Sequence, residues 1–294
     1  MNLILYILRI LIIIVSFIIL IFASFEDYKY RIVSNYWWII LLAIGCFNIV
    51  LLNFSLYYNY GSFVQEIMLI IQPINIVLGL VLSYILYKSG LFGGADFKAA
   101  ASITLIIPFT YDIPILNLGF IDIIFIFPVF SFYINLVILI FGYSLAIFIY
   151  NLVSAQFNFN LLFEGHENLG FLTKLKILFT SEYIKFDSRA KFYHLREYIK
   201  ENKLIFNFSQ KKSNYLNDDN EPSSADEYFF ELMKSNEDKK NKLKGYFQSN
   251  NFKRNRIWVN PIFPLIIFMT FTLFILIFFG DIIFILRNLI LAII

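Results

Sequence analysis

The chain of 294 residues is poor in charge: Asp, Glu, Lys and Arg make up 15% of it, where a soluble domain carries about 25%. That shortage, beside a 59% share of hydrophobic residues, excludes an ordinary soluble globule. A net charge of +3 is too small to attract a nucleic acid by bulk electrostatics, so no nucleic-acid partner is expected. Cys46 is the sole cysteine and lies in an apolar run, which excludes an intramolecular disulfide and a cysteine-based zinc site. The two histidines, His166 and His194, have no second ligand at metal spacing; both are expected at the surface, and no metal is expected.

What the sequence has is apolar residues in long runs. A helix needs about 20 of them to cross the hydrocarbon of a bilayer. Candidate spans lie at residues 3–25, 36–54, 67–87 and 129–153, with a shorter one starting at Phe97 and a last one from Asn260-Pro261 to Phe279. Pro108 ends or kinks the short span, and residues 110–127, with Asp112, Pro114, Gly119 and Asp122, either extend it or dip into the interface. The first run lacks the basic flank and small-residue cleavage site of a secretory signal and is expected to be a retained helix.

Basic residues accumulate in cytoplasmic loops and so fix orientation. Lys29 and Arg31, then Lys88 and Lys98, then the 18 Lys and Arg between Ala155 and Arg256 fall on one side if there are six spans. Only Arg9 and Arg287 lie outside this alternation. The expected fold class is an all-α polytopic membrane protein: six transmembrane helices, both termini outside, and a cytoplasmic α-containing insert. Residues 1–154 form the membrane domain with five spans, 155–256 the insert, and 257–294 the sixth span and tail. Within the insert, Asp187 to Glu201 has Phe192, Leu195 and Ile199 at helical spacing and is expected to be helix, Ser224-Ala225-Asp226-Glu227 fits a capping box ahead of Tyr228, and 210–223 reads as a loose linker.

Seven acidic residues lie outside the insert. The expected topology sends Glu66, Asp112, Asp122 and Asp281 toward the outer face and Glu26, Asp27 and Asp96 to the inner end of the bundle. Asp27 and Asp96 can therefore share a site. Two neighbouring carboxyls do not readily both ionise, so one keeps a proton and polarises a scissile carbonyl while the other takes a proton from water. This chemistry needs no cofactor. Gly93 and Gly94, just before Asp96, let a substrate backbone approach closely and permit a positive φ. Each residue also has a plainer reading: Asp96 as a helix N-cap, Asp27 with Glu26, Lys29 and Arg31 as a solvated turn, and Gly93-Gly94 as a loop signal.

The segment Gly93-Gly94-Ala95-Asp96-Phe97-Lys98 resembles the Gly-Gly-Ala-Asp-x-Lys form of the GxGD signature of archaeal preflagellin and prepilin peptidases. Asp27 matches their first catalytic aspartate, and Arg31 and Asn35 keep the family's spacing from it, with Val33-Ser34 in place of Ile-Pro. Ala95 stands where the generic signature has its second glycine. Trp258-Val259-Asn260-Pro261-Ile262-Phe263-Pro264 is similar to the family's Trp-Val-x-Pro-x-x-Pro stretch. The cysteine-rich region of bifunctional bacterial prepilin peptidases is absent.

This resemblance implies a membrane aspartic endopeptidase with Asp27 and Asp96 catalytic. Gly93, Gly94 and Ala95 would supply backbone geometry, and Asn35 would bind substrate or position the backbone; Lys98 and Arg31 either orient a carboxylate or contact substrate, or serve as topology anchors at the inner face. Neither cofactor nor metal is implied. The implied partners are membrane lipid and a prepilin or preflagellin precursor with a short basic leader and a hydrophobic helix, cut after a small residue at the cytoplasmic face of the cell membrane. Two alternatives stand: a presenilin-type intramembrane GxGD protease, and a non-enzymatic transporter or scaffold in which the two aspartates anchor helix ends.

Overall fold

The structure is a computed structural model and describes residues 3–30, 33–59, 62–107, 128–186, 193–200, 203–206, 225–261, 264–278 and 282. The chain forms two compact units, Met1–Ile140 with Pro264–Ile294, and Phe141–Phe263. In order the elements are α1 (Leu3–Tyr30), α2 (Asn35–Asn59), α3 (Ser62–Lys88), α4 (Gly94–Ile106), α5 (Pro128–Ser154), α6 (Phe159–Leu162) and α7 (Phe171–Thr180). There follow β1 (Glu182–Lys185), β2 (Tyr193–Leu195), β3 (Glu197–Lys200), β4 (Lys203–Phe206), α8 (Ala225–Ser249), β5 (Arg256–Pro261) and α9 (Leu265–Phe278).

The first unit inverts the pattern of a soluble protein. Ile7, Leu11, Ile18, Ile39 and Val77 face outward, whereas Ser16, Asn48, Asn75, Ser83 and Asn135 are buried. A lipid solvent imposes this, because polar groups must find partners inside the protein. The Asn48 amide donates to the Ile106 carbonyl at 2.8 Å, the Ser24 and Thr270 hydroxyls meet at 2.8 Å, and Ser83 meets the Tyr133 hydroxyl at 2.6 Å.

Helix α4 sits among α2, α3 and α9 and is buried on every side from Ala99 to Thr104. Its neighbours approach closely through glycines: a Cβ on Gly45 of α2 would lie 2.7 Å from the Leu105 Cβ, and one on Gly79 of α3 would lie 2.3 Å from the Thr104 Cγ2. Small residues at helix contacts are how packing is gained where no water drives association.

Among the described residues four helices are long and apolar enough to cross a membrane, at Ile7–Lys29, Asn35–Phe54, Leu69–Lys88 and Pro128–Ser154. Six were expected from the sequence. The fourth and sixth expected spans correspond to α4, with 13 residues, and α9, with 14. At about 1.5 Å per residue the 13 residues of α4 reach about 20 Å, short of a hydrocarbon layer of about 30 Å, while α9 is described only as far as Phe278. The expected course of 110–127, with Asp112 and Asp122, lies outside the described residues, as do Asp281, Arg287 and the expected linker 210–223.

The second unit corrects the all-α expectation. It contains a three-stranded antiparallel sheet in the order β1-β5-β2 and a β3-β4 hairpin. In the range 187–201, where a helix was expected, the described residues are strand at Tyr193–Leu195 and at Glu197–Lys200, and 187–192 and 201 lie outside the described residues. Strand alternation distributes the core: Tyr183 and Trp258 join Leu162, Phe163 and Ile177 on one side, while Ile184, Ile257 and Val259 join Leu243 and Phe247 on the other. Trp258 is fully buried, and its indole N–H donates to the Leu162 carbonyl at 3.0 Å.

Glu197 is also buried. Its Oε1 accepts from the Arg254 guanidinium at 2.6 Å and lies 2.7 Å from the His166 Nε2, and its Oε2 accepts the Trp258 backbone N–H at 2.9 Å. Burial pushes its carboxyl upward, but Arg254 and His166 outweigh that and hold it below the ordinary value. His166, expected at the surface, is thus a core residue because Glu197 gives it a partner. His194 is half-buried, and burial, with Arg196 and Lys239 nearby, lowers its pKa.

Candidate active site

Asp27 and Glu26 lie near the end of α1, and the two neighbours do different things. A Glu26 carboxylate oxygen accepts the backbone N–H of Ser34 at 3.1 Å, and the Ser34 hydroxyl oxygen accepts the N–H of Tyr36 at 3.3 Å. Glu26 and Ser34 together thereby fix how the chain enters α2. A proline at 34 would have no N–H to offer Glu26, so serine in place of the family's proline is part of a local arrangement. Asp27 is half-buried, with its Oδ2 shielded from solvent. Neighbouring residues on a helix point about 100° apart, which leaves Asp27 on a face that Glu26 does not share.

The second aspartate stands in the first turn of α4. Gly93 is the N-cap, and Asp96 at the third helical position reaches back so that its Oδ2 accepts the Gly93 N–H at 2.8 Å. This is the returning half of a capping box; glycine has no side chain to make the other half. Asp96 is therefore not the N-cap that its sequence context allows. Gly93 has φ −76°, and the positive φ expected near this break falls at Gly90, φ +77°. What Gly93 supplies is space: a Cβ there would lie 3.1 Å from the Asp96 Oδ2, whereas one on Gly94 would meet nothing within 4 Å. Ala95 follows half-buried in the same turn.

Asn35, the first residue of α2, and Lys98 of α4 are brought together, with the Lys98 Nζ 2.5 Å from the Asn35 Oδ1. Glu26 joins the end of α1 to Ser34, and Lys98 joins the start of α4 to Asn35. The C-terminal end of α1 and the N-terminal ends of α2 and α4 therefore meet at one end of the first unit. That end carries both Asp27 and Asp96. Arg31, also expected at the site, lies outside the described residues. Packing agrees with this placement: α2 and α9 each contact both α1 and α4. The Phe97 ring lies 5.6 Å from that of Tyr87, which holds the start of α4 to the end of α3.

Sequence reasoning missed the roles of Glu26, Ser34, Gly45 and Gly79. The serine substitution was a visible signal for the first pair; the glycines gave none, since their function depends on which helix comes to lie against them.

Two family models match the chain. The type IV leader peptidase family matches residues 14–143, a range that takes in both aspartates and the whole Asn35–Lys98 junction. The archaeal peptidase A24 C-terminus type II matches residues 173–282, which includes every strand of the second unit. The chain belongs to the type IV leader peptidase family. No curated protein matches it. Membership in this peptidase family implies removal of leaders from prepilin or preflagellin precursors, and with the apolar helices it makes the chain a multi-pass membrane protein.

Proposed function

We propose that the chain is an aspartic endopeptidase that cuts the short basic leader from prepilin or preflagellin precursors at the cytoplasmic face of the cell membrane. Asp27 and Asp96 are its catalytic pair. The ionised carboxylate takes a proton from water, whose oxygen bonds to the scissile carbonyl carbon as the other carboxyl gives its proton to the carbonyl oxygen. Collapse of the tetrahedral intermediate breaks the C–N bond, with a proton passing to the departing amine. The two carboxyls titrate as one system, so the roles belong to the pair.

The single observation carrying this reading is the junction of α1, α2 and α4 through Glu26–Ser34 and Asn35–Lys98, which gathers both aspartates at one end of the helical unit. The Gly93 N–H holds the Asp96 Oδ2 at 2.8 Å and so fixes how this carboxyl sits at the start of α4. Gly94 and Ala95 leave room for a substrate backbone, and Lys98, Asn35 and Arg31 position the catalytic end. The precursor's hydrophobic helix stays in lipid while its leader reaches the site, and residues 155–256 lie on the cytoplasmic side with both termini outside.

The test is to incubate membranes containing the chain with a precursor that has a basic leader, a glycine and a hydrophobic helix, and to read the new N-terminus by mass spectrometry. A cut just after the glycine agrees. A cut within the helix points to presenilin-type activity, and an intact precursor beside correctly inserted protein contradicts the proposal. Protease access to residues 155–256 in inside-out vesicles, with protection in intact cells, checks the orientation; the opposite pattern inverts it.

A further inference from the structure

Helix α7 is apolar on two sides, and the described residues cover only one of them. Ile177 and Leu178 are each 1% exposed and sit in the core of the second unit. Phe171, Leu172 and Leu175 fall within an arc of about 100° on the other side, and Phe171 and Leu172 are 75% and 77% exposed. Lys176 borders this arc, about 40° from Leu172. A helix on a water-facing domain would carry polar residues there.

The turn before α6 behaves the same way. Helix α5 closes with the Phe157 N–H donating to the Leu152 carbonyl at 2.8 Å and the Gln156 N–H to the Val153 carbonyl at 3.0 Å. This is a Schellman closure, in which glycine usually takes the left-handed position. Here Gln156 has φ +52° and Phe157 φ +58°, and the Phe157 side chain is 67% exposed. A bulky residue held in that conformation is strained. It presents an aromatic ring to the surroundings at the end of a helix long enough to cross a membrane.

The depth of α7 is set by α5. The Asn151 amide donates to the carbonyls of Leu178 at 2.9 Å and Ser181 at 2.7 Å, and the Phe148 and Phe179 rings stack at 4.6 Å. Asn151 and Phe148 precede the last residue of α5 by three and six positions, about 5 and 9 Å along the axis. The C-terminal end of α7 is therefore fastened level with the last turns of a spanning helix. Exposed apolar residues of α5 itself, Leu145, Ile149 and Val153, occupy the same stretch.

We propose that α7 and the Phe157 turn form an interfacial anchor whose apolar arc lies at the boundary between phospholipid headgroups and acyl chains. Lys176, exposed beside the arc, extends to headgroup phosphates. The partner is the bilayer surface itself. This rests on membrane insertion of α5 and not on the peptidase reading.

The test uses the full chain in bilayers. In a Cys46→Ser background, Leu172→Cys and, as a water-facing control on α8, Gln248→Cys are labelled with a polarity-sensitive fluorophore. Nitroxide on a shallow acyl position is expected to quench the label at 172 at least threefold more than that at 248, with iodide in the buffer showing the reverse. Equal quenching at the two positions would overturn the anchor. Because the variants could perturb folding, unmodified protein is also reconstituted with a photoactivatable phospholipid. Adducts on the peptide containing 171–175 are expected; adducts confined to α1, α2, α3 and α5 contradict the proposal.

Discussion

The Lys98 ammonium donates to the Asn35 side-chain carbonyl at 2.5 Å, joining residues 63 positions apart at the end of the bundle that carries both aspartates. The contact is exposed, so its loss should cost the fold about 1 kcal/mol or less. Its consequence should instead be catalytic. Lys98→Met is expected to lower kcat for leader cleavage by about tenfold to a hundredfold through misplacement of Asp96, with Tm nearly unchanged and partial recovery in Lys98→Arg. Equal activity of wild type and Lys98→Met would show that the contact does not position the site.

Gly93→Ala tests the space beside Asp96. The backbone at 93 suits any L residue, but the new Cβ would press on the Asp96 Oδ2 at 3.1 Å. Activity should fall about tenfold or more while the helix persists, since small displacements of reacting groups are costly. At Gly94 the protein leaves open space, so any loss in Gly94→Ala reports on the substrate backbone. Circular dichroism beside a cleavage assay separates loss of helix from loss of chemistry.

Disulfide trapping tests the approach of the two aspartates. In Cys46→Ser background, cysteines at 27 and 96 are expected to crosslink during incubation with precursor, because one water must touch both carboxyls. Failure to crosslink under every substrate condition would separate the two residues.

The Glu197 cluster predicts a pH dependence. Its carboxyl is held below its ordinary 4.5 in the folded chain. Its contribution is therefore complete above about pH 4.5 and is lost as pH falls through the lower folded value. Thermal unfolding of the second unit should weaken on that acid side. Glu197→Gln should remove this dependence and destabilise by about 3–5 kcal/mol, since Arg254 would remain buried without its counter-charge. An unchanged melting curve would assign the cluster no structural role.

Hydropathy exposed α1, α2, α3 and α5 because a spanning helix must be apolar along its length. It misled at 187–201, where Leu195 and Ile199 are four apart and fit a helix. The strand period there is hidden by Glu197, a charged residue in a buried position whose partners, His166 and Arg254, lie 31 and 57 residues away. No local pattern announces such a cluster. At the candidate site, the motif singles out Asp27, Asp96 and the glycines as candidates. The physical use of Gly93 emerged only from the hydrogen bond that turns Asp96 back toward it, and the pairing of Lys98 with Asn35 depends on helices meeting across most of the membrane sequence.

The most direct measurement compares precursor cleavage by membranes carrying wild type, Asp27→Asn, Asp96→Asn and Glu26→Gln at equal levels of inserted protein. Asparagine keeps the size of aspartate but cannot exchange its proton. Both asparagine variants should lose cleavage by at least about 10²-fold, whereas Glu26→Gln, whose carboxylate accepts the Ser34 N–H, should retain most activity. Full activity in either asparagine variant, or an inactive Glu26→Gln beside an active Asp27→Asn, would contradict the catalytic pair.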